Sequence, residues 1–192
     1  MIRAVLFLRV LKKAPFFKTV GTTFFDLEQK QKIKHKGSMM KKFSLAIVLI
    51  FTFQFVEAAS ELETEKAESQ KFIDKEAKIA KTDQTLSGVL YRPIKAGKGA
   101  NPTSTDTVTV DYKGTLRSGK VFDASPKGKP VSFPLNGVIP CWTEAIKRMQ
   151  VGGSAIIVCP SHTAYGDSGT GSDIKGGAAL KFEVTLHKIA PF

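Results

Sequence analysis

Between Val121 and Ile146 the sequence reads VFDASPKGKPVSFPLNGVIPCWTEAI. That span gathers Phe122, Phe133, Val138, Ile139 and the only tryptophan of the chain, Trp142, around one carboxylate, Asp123. No nucleophile with its base and no metal-ligand set is among them. The rest of the chain supplies neither. His35, His162 and His187 lie far apart; His187 falls on a polar strand face, and His162 lies in a loop near Tyr165 with no partner beside it, so both are expected at the surface. Cys141 and Cys159 lack metal-ligand spacing, and no metal and no cofactor are expected. GTGSDIKGG, residues 169–177, has the composition of a phosphate loop, but a strand follows it, so no helix N-terminus is there to hold an anion.

What remains is a set of aromatic and aliphatic side chains: Tyr112, Phe122, Phe133, Val138, Ile139, Trp142, Tyr165, Ile174 and Phe182. Ordinary core is one reading of them. Two features point instead to an apolar cup. Asp123 follows Phe122 inside an apolar run, and a buried carboxylate must find donors or it destabilises the fold. Trp142 opens a helix, where an indole can floor a hollow rather than fill a centre.

The elements that must position these residues follow from periodicity. TVTVDYKGTL sets Val108, Val110 and Tyr112 against Thr107, Thr109 and Asp111, the alternation of a half-buried strand. SGVLYRPI, VFDAS and the continuous apolar SAIIVCP read as further strands. ALKFEVTLHKI places Leu180, Phe182, Val184 and Leu186 on one face. Trp142, Ala145, Ile146 and Met149 fall at helical spacing, with Gly152-Gly153 as the stop. An antiparallel sheet with one short helix on its inner face is an α+β domain. Upstream, residues 59–86 read as a short charged helix and linker. Ser60 and Glu63 fit a capping box, and Phe72, Ile73, Ala77 and Ala80 form a thin apolar stripe. Such a stripe suits a solvated helix leaning on the domain, a frayed one or a contact with a second copy, and the oligomeric state stays open.

The formal net charge of +12 invites a nucleic-acid partner until it is located. Residues 1–58 carry 11 Lys/Arg and 3 Asp/Glu, against 18 and 14 in the remainder. A near-balanced mature chain argues against nucleic acid. Residues 39–58 have the layout of a secretory signal peptide: Lys41 and Lys42, an apolar run from Phe43 to Val56, then Val56-Glu57-Ala58 before the expected cut. The run is short of the ~20 residues a bilayer core requires, so membrane contact is expected only in transit. Residues 1–38 precede the expected start at Met39 or Met40 and are assigned no function. Export places Cys141 and Cys159 in an oxidising compartment, where a disulfide and two buried thiols are both open.

In this order, TVTVDYKGTLRSGKVFDAS, GKPVSFPL, VIPCWTEAI, MQVGG, CPSHTAYG and AALKFEVTL resemble the FKBP-type peptidyl-prolyl cis–trans isomerases over Ser87 to Ile189. The likeness is greatest to the secreted bacterial branch that includes the macrophage infectivity potentiator proteins. It implies a twisted antiparallel sheet wrapped around one short helix, in a domain over residues 87–192, and acceleration of X–Pro rotation in proline-containing polypeptides of the periplasm or outer envelope. A chaperone or binding module with little turnover is the alternative reading of the same cup. The resemblance further implies Trp142 as the floor, and Tyr112, Phe122, Val138, Ile139 and Phe182 as walls, with Phe133 beside them. It makes the Ile139 N–H and the Tyr165 hydroxyl donors to substrate carbonyls, Ile174 a flap, and Asp123 an edge group bonded toward Tyr112. Cys141 replaces a usual glycine, Val131 an aromatic and Lys175 a common proline. The second of these bears on binding of macrolide inhibitors, the third on substrate preference. The region before the domain is too short for the potentiators' long dimerising helix.

Overall fold

The computed structural model describes residues 40–190, with side chains from residue 59 onward. The expectations for residues 1–38 and for the side chains of the signal segment lie outside them. Two compact units divide the chain, Met1–Phe53 and Gln54–Phe192, and the second contains every strand among the described residues. In chain order the elements are α1 (Met40–Ala77), β1 (Asp83–Gln84), β2 (Leu90–Lys95), β3 (Thr107–Leu116), β4 (Val121–Ala124), β5 (Val131–Pro134), α2 (Pro140–Ile146), β6 (Ser154–Cys159) and β7 (Leu180–Ala190). The strands form one antiparallel sheet in the order β1-β2-β6-β7-β3-β4, with β5 also paired to β3.

β3 and β7 make the centre, in a register that sets Gly114 opposite Phe182 and Tyr112 opposite Val184. The predicted alternation holds: Val108, Val110, Leu180, Phe182, Val184 and Leu186 are all buried. They meet Trp142, Ala145 and Ile146 of α2, and Met149 just beyond it, in one core. The helix ends at Ile146, earlier than Gly152-Gly153 suggested; a turn carries Met149 into the core without further helix. β5 was hidden in the sequence because VSFP is short and ends on proline.

The unbroken hydrophobicity of SAIIVC has a structural cause. Ala155, Ile157 and Cys159 face α2, while Ile156 and Val158 face the other side, where Ile73 of α1 packs with Leu90, Val158 and Ala179. A strand covered on both faces has no polar side to show. The cover is α1, which is not a short helix as expected but 38 residues long. Ser60 therefore stands inside the helix and forms no capping box; its carbonyl accepts from Thr64 Oγ1 (2.8 Å). Ala80 lies beyond the helix and is exposed.

Polar contacts complete the docking of α1. The Glu76 carboxylate is buried and accepts from Arg92 Nη2 (3.0 Å) and Lys181 Nζ (2.9 Å). Ser69 Oγ accepts from Ala179 N (2.8 Å), and Glu65 pairs with Arg117 through two hydrogen bonds of 2.9 and 3.0 Å. Among the described residues no helix is long and apolar enough to cross a membrane.

Candidate active site

Trp142 enters the core because the chain before it is stiff. Ile139 precedes Pro140, and the proline ring holds it in extended backbone (φ −58°, ψ 145°). Pro140 then opens α2 at a position whose N–H no helix needs. The Ile139 carbonyl accepts from Trp142 N (2.9 Å) and Thr143 N (3.2 Å), whereas its own N–H donates to no described backbone carbonyl. Thr143 Oγ1 donates to Leu135 O (2.6 Å) and fixes the helix against the turn after β5.

Three rings stand edge-on to the indole. Tyr112, Phe182 and Phe133 have centroids 5.2, 5.3 and 5.8 Å from it, at interplanar angles of 81°, 84° and 87°. Phe122 packs edge-on against Phe182 at 5.7 Å. Edge-to-face pairs at these separations are favourable aromatic geometry. Ile174 is buried in the same cluster, and Val138 and Ile139 pack against it half-exposed. All the aromatic and aliphatic residues singled out in sequence, Tyr165 apart, thus converge on one cluster, with Trp142 at the bottom (5% exposed) and Phe122, Val138 and Ile139 around it.

The indole Nε1–H is buried with no acceptor among the described residues. A native fold rarely leaves such a donor unpaired. At the edge, Tyr112 Oη donates to Asp123 Oδ2 (2.8 Å). The carboxylate is exposed rather than buried as the sequence suggested, because β4 lies at the sheet edge, so water can satisfy it and burial does not force a donor on it. Burial pushes the Tyr112 phenol up to about 12, and the bond to Asp123, its charge and that of Tyr165 add to the effect. Tyr112 is therefore a fixed donor to Asp123 at neutral pH. Tyr165 stands 38% exposed on the loop after β6.

One site residue escaped the sequence reading. Gly114 is buried in β3 opposite Phe182 and Asp123. A Cβ there would lie 2.7 Å from Phe122 Cζ and 2.9 Å from Phe182 Cε1. The glycine makes room for two rings of the cluster, and a lone glycine inside DYKGTL was the signal. The two histidines are exposed as expected, yet each has a partner: His162 Nε2 lies 2.9 Å from Ser87 O, and His187 Nε2 lies 2.7 Å from Asp111 Oδ2. Cys141 and Cys159 are joined in a disulfide, which resolves the alternative left open by sequence.

Against this geometry, the family model for FKBP-type peptidyl-prolyl cis-trans isomerase matches residues 98–187. The chain is 44% identical over 124 residues to the FKBP-type 22 kDa peptidyl-prolyl cis-trans isomerase of Escherichia coli K12, covering 64% of this chain and 60% of that protein. It is 34% identical over 166 residues to a probable FKBP-type peptidyl-prolyl cis-trans isomerase of Haemophilus influenzae, covering 86% and 69%. The crystal structure of FkpA from Escherichia coli superposes with a TM-score of 0.71 at 29% identity, covering 99% of this chain and 93% of that one. The chain spans about half the length of several of the curated relatives it matches. An antiparallel sheet closed over a tryptophan-bearing helix, six sequence stretches in order and these likenesses agree: the chain belongs to the FKBP-type peptidyl-prolyl cis–trans isomerase family.

Proposed function

We propose that this chain accelerates cis–trans rotation of X–Pro peptide bonds in exported polypeptides. The reaction breaks no covalent bond, which is why the site contains no nucleophile. Amide resonance sets a barrier of about 18–20 kcal/mol, and unaided exchange takes tens of seconds or longer. At the top of that barrier the C–N bond has lost its double-bond character and the carbonyl is less polar. A dry apolar surface therefore favours the twisted amide over either planar form, and only such a preference raises the rate of the chemical step. A factor of 10⁴ asks for about 5.5 kcal/mol.

In this reading the proline ring sits on Trp142, between Tyr112, Phe122, Val138, Ile139 and Phe182, with Phe133 closing one corner. The Ile139 N–H and the Tyr165 hydroxyl hold carbonyls that flank the rotating bond, and Ile174 covers the peptide. Asp123, held by Tyr112, stands at the edge near the amide carbonyl. The observation that carries the proposal is the unpartnered indole donor beneath edge-on rings, with a half-exposed rim above it. The same apolar hollow suits macrolide inhibitors, although Val131 offers less wall than an aromatic would.

Export is part of the proposal. Residues 39–58 carry the signal pattern, and the Cys141–Cys159 bond fits an oxidising compartment such as the periplasm or outer envelope. The domain division at residues 38, 58 and 86 belongs to the same reading.

A protease-coupled isomerisation assay on a proline tetrapeptide tests the activity. The native protein is expected to turn over, with loss in Trp142→Leu, Tyr165→Phe and Asp123→Ala. Native protein that leaves the slow phase unchanged removes the isomerase reading and leaves a binding module. Suppression of aggregation that survives all three substitutions while turnover collapses would place a holding activity elsewhere on the surface.

A further inference from the structure

The disulfide lies between the two segments that carry the backbone and hydroxyl donors of the cup. Cys141 is the second residue of α2, two positions after Ile139 and directly before Trp142. Cys159 ends β6, six positions before Tyr165. Both sulfur-bearing residues are fully buried, with Cα atoms 5.7 Å apart.

Each segment is short and internally bonded. On one side Trp142 N and Thr143 N both donate to Ile139 O, tying Ile139 to the first turn of α2. On the other, Thr163 N and Thr163 Oγ1 donate to Pro160 O (3.0 and 2.8 Å), and Ala164 N and Gly166 N donate to Ser161 O (2.9 and 2.8 Å). Tyr165 is thus carried on a closed turn that starts at Cys159. A continuous path of stiff links runs from the Ile139 N–H through the S–S bond to the Tyr165 hydroxyl. The one other side-chain path between them among the described residues is non-covalent and runs through a third segment: Ser87 Oγ donates to Glu144 Oε2 of α2, and Ser87 O lies 2.9 Å from His162 Nε2. Catalysis by geometry is sensitive to such links, because donors are useful only where the twisted substrate places its carbonyls.

We propose that Cys141 and Cys159 are positioning residues: their disulfide sets the Ile139 N–H and the Tyr165 hydroxyl relative to one another and to Trp142, and so supports turnover rather than fold alone. The inference rests on the isomerase reading above. Cys141 is not a chance thiol in this view. It supplies a covalent brace between the start of α2 and the end of β6.

The test uses the full mature chain and the double variant Cys141→Ala with Cys159→Ala, assayed well below the melting temperature. Loss of an interaction used mainly in the transition state lowers kcat and leaves KM in place. The variant is expected to lose about tenfold in kcat with KM within about twofold, less than the ~100-fold that an ångström of misplacement can cost. Emission of the single tryptophan is expected to shift to the red as the start of α2 loosens and water reaches the indole.

Native protein treated with a dithiol provides the second arm. The S–S bond breaks, taking up two electrons and two protons to give two thiols, while the reagent closes to its cyclic disulfide. The same loss in kcat should follow, and recover on reoxidation. A variant with native kcat and native emission, merely melting lower, overturns the proposal, since the bond then serves the fold alone. Cys141→Ala with Cys159→Val, which refills the space left by the sulfurs, is the second variant. If neither variant folds, the bond is structural and the proposal also falls. Native protein without turnover overturns the isomerase reading itself, a different result from an active protein indifferent to its disulfide.

Discussion

Two buried polar groups lie against opposite faces of the sheet and are treated in opposite ways. Against the outer face, the Glu76 carboxylate of α1 has two cations, Arg92 and Lys181. On the inner face, the Trp142 Nε1–H has no partner among the described residues. Burying either group without a partner costs free energy, more for a charge than for an indole N–H. The α1 contact is complete as it stands and needs nothing from outside. The inner cluster leaves the indole donor unpaired, beneath a half-exposed rim of Phe122, Val138 and Ile139. A finished contact holds the fold together; under the proposed function, the unfinished one takes up the proline ring.

The largest effect is expected at the finished contact. Glu76→Ala would leave Arg92 buried and uncompensated, and breaking such a pair costs about 3–5 kcal/mol. Denaturant unfolding should show that loss while kcat/KM for a proline peptide stays within about twofold. Trp142→Ala should behave in the reverse sense. A large-to-small change at a buried aromatic costs about 3–5 kcal/mol, but removing an unpaired donor returns about 1–3 kcal/mol. A net loss of about 2 kcal/mol follows, with turnover reduced at least ~100-fold because the floor is gone. If Trp142→Ala costs more stability than Glu76→Ala and leaves turnover intact, the indole is core and the contrast fails.

The contrast also has a pH form. Burial is the largest influence on Glu76 and pulls its carboxyl upward, yet the hydrogen bonds from Lys181 and Arg92 together hold it below its ordinary value. Its stabilising effect is therefore present above the unfolded pKa of about 4.3 and is lost as pH falls through the lower folded value. The difference in melting temperature between native protein and Glu76→Ala should shrink in acid. Tyr112 works at the other end of the scale. Its folded pKa of about 12 exceeds the unfolded value of about 10, so its share of stability is complete below pH ~10 and fades as pH rises toward 12. Tyr112→Phe should cost about 1 kcal/mol at neutral pH, the size of one hydrogen bond, and less above pH 10. An equal cost at both pH values would mean that the folded phenol is not shifted upward, by burial or by the bond to Asp123.

The inner face was legible in the sequence for a physical reason. Period-two alternation in β3 and β7 and helical spacing from Trp142 to Met149 are both set by one core, so the residues that build the cup announce themselves together. The outer face was harder to read. Glu76 looks like one more charge on a charged helix, and its burial depends on Arg92 and Lys181, which are 16 and 105 positions away. The thin stripe around Ile73 was visible, but what it packs against was not. Gly114 was legible in principle, since a glycine within a strand asks what occupies the space of its missing side chain. The disulfide could not be read because spacing along the chain says nothing about distance across α2 and β6.

The smallest expected effect tests whether the outer contact is held by charge throughout or only where charge is buried. Lys66 Nζ pairs with Asp167 Oδ2 at 2.8 Å, but both side chains are largely open to water, at 36% and 59%. Exposed pairs gain little because solvent and salt screen them and two long side chains must be held still. The stem of Lys66 does more: a Cβ at Gly177 would sit 2.8 Å from Lys66 Cγ, so the aliphatic chain lies directly on the backbone at the base of the loop that carries Ile174. Lys66→Met keeps that stem and removes the charge. Its melting temperature should match the native protein at low and at high salt, and its kcat/KM should not move. A clear loss at low salt that vanishes at high salt would show that rim charges clamp α1 as Glu76 does, and the division between a buried ionic contact and an apolar cup would have to be redrawn around the whole helix.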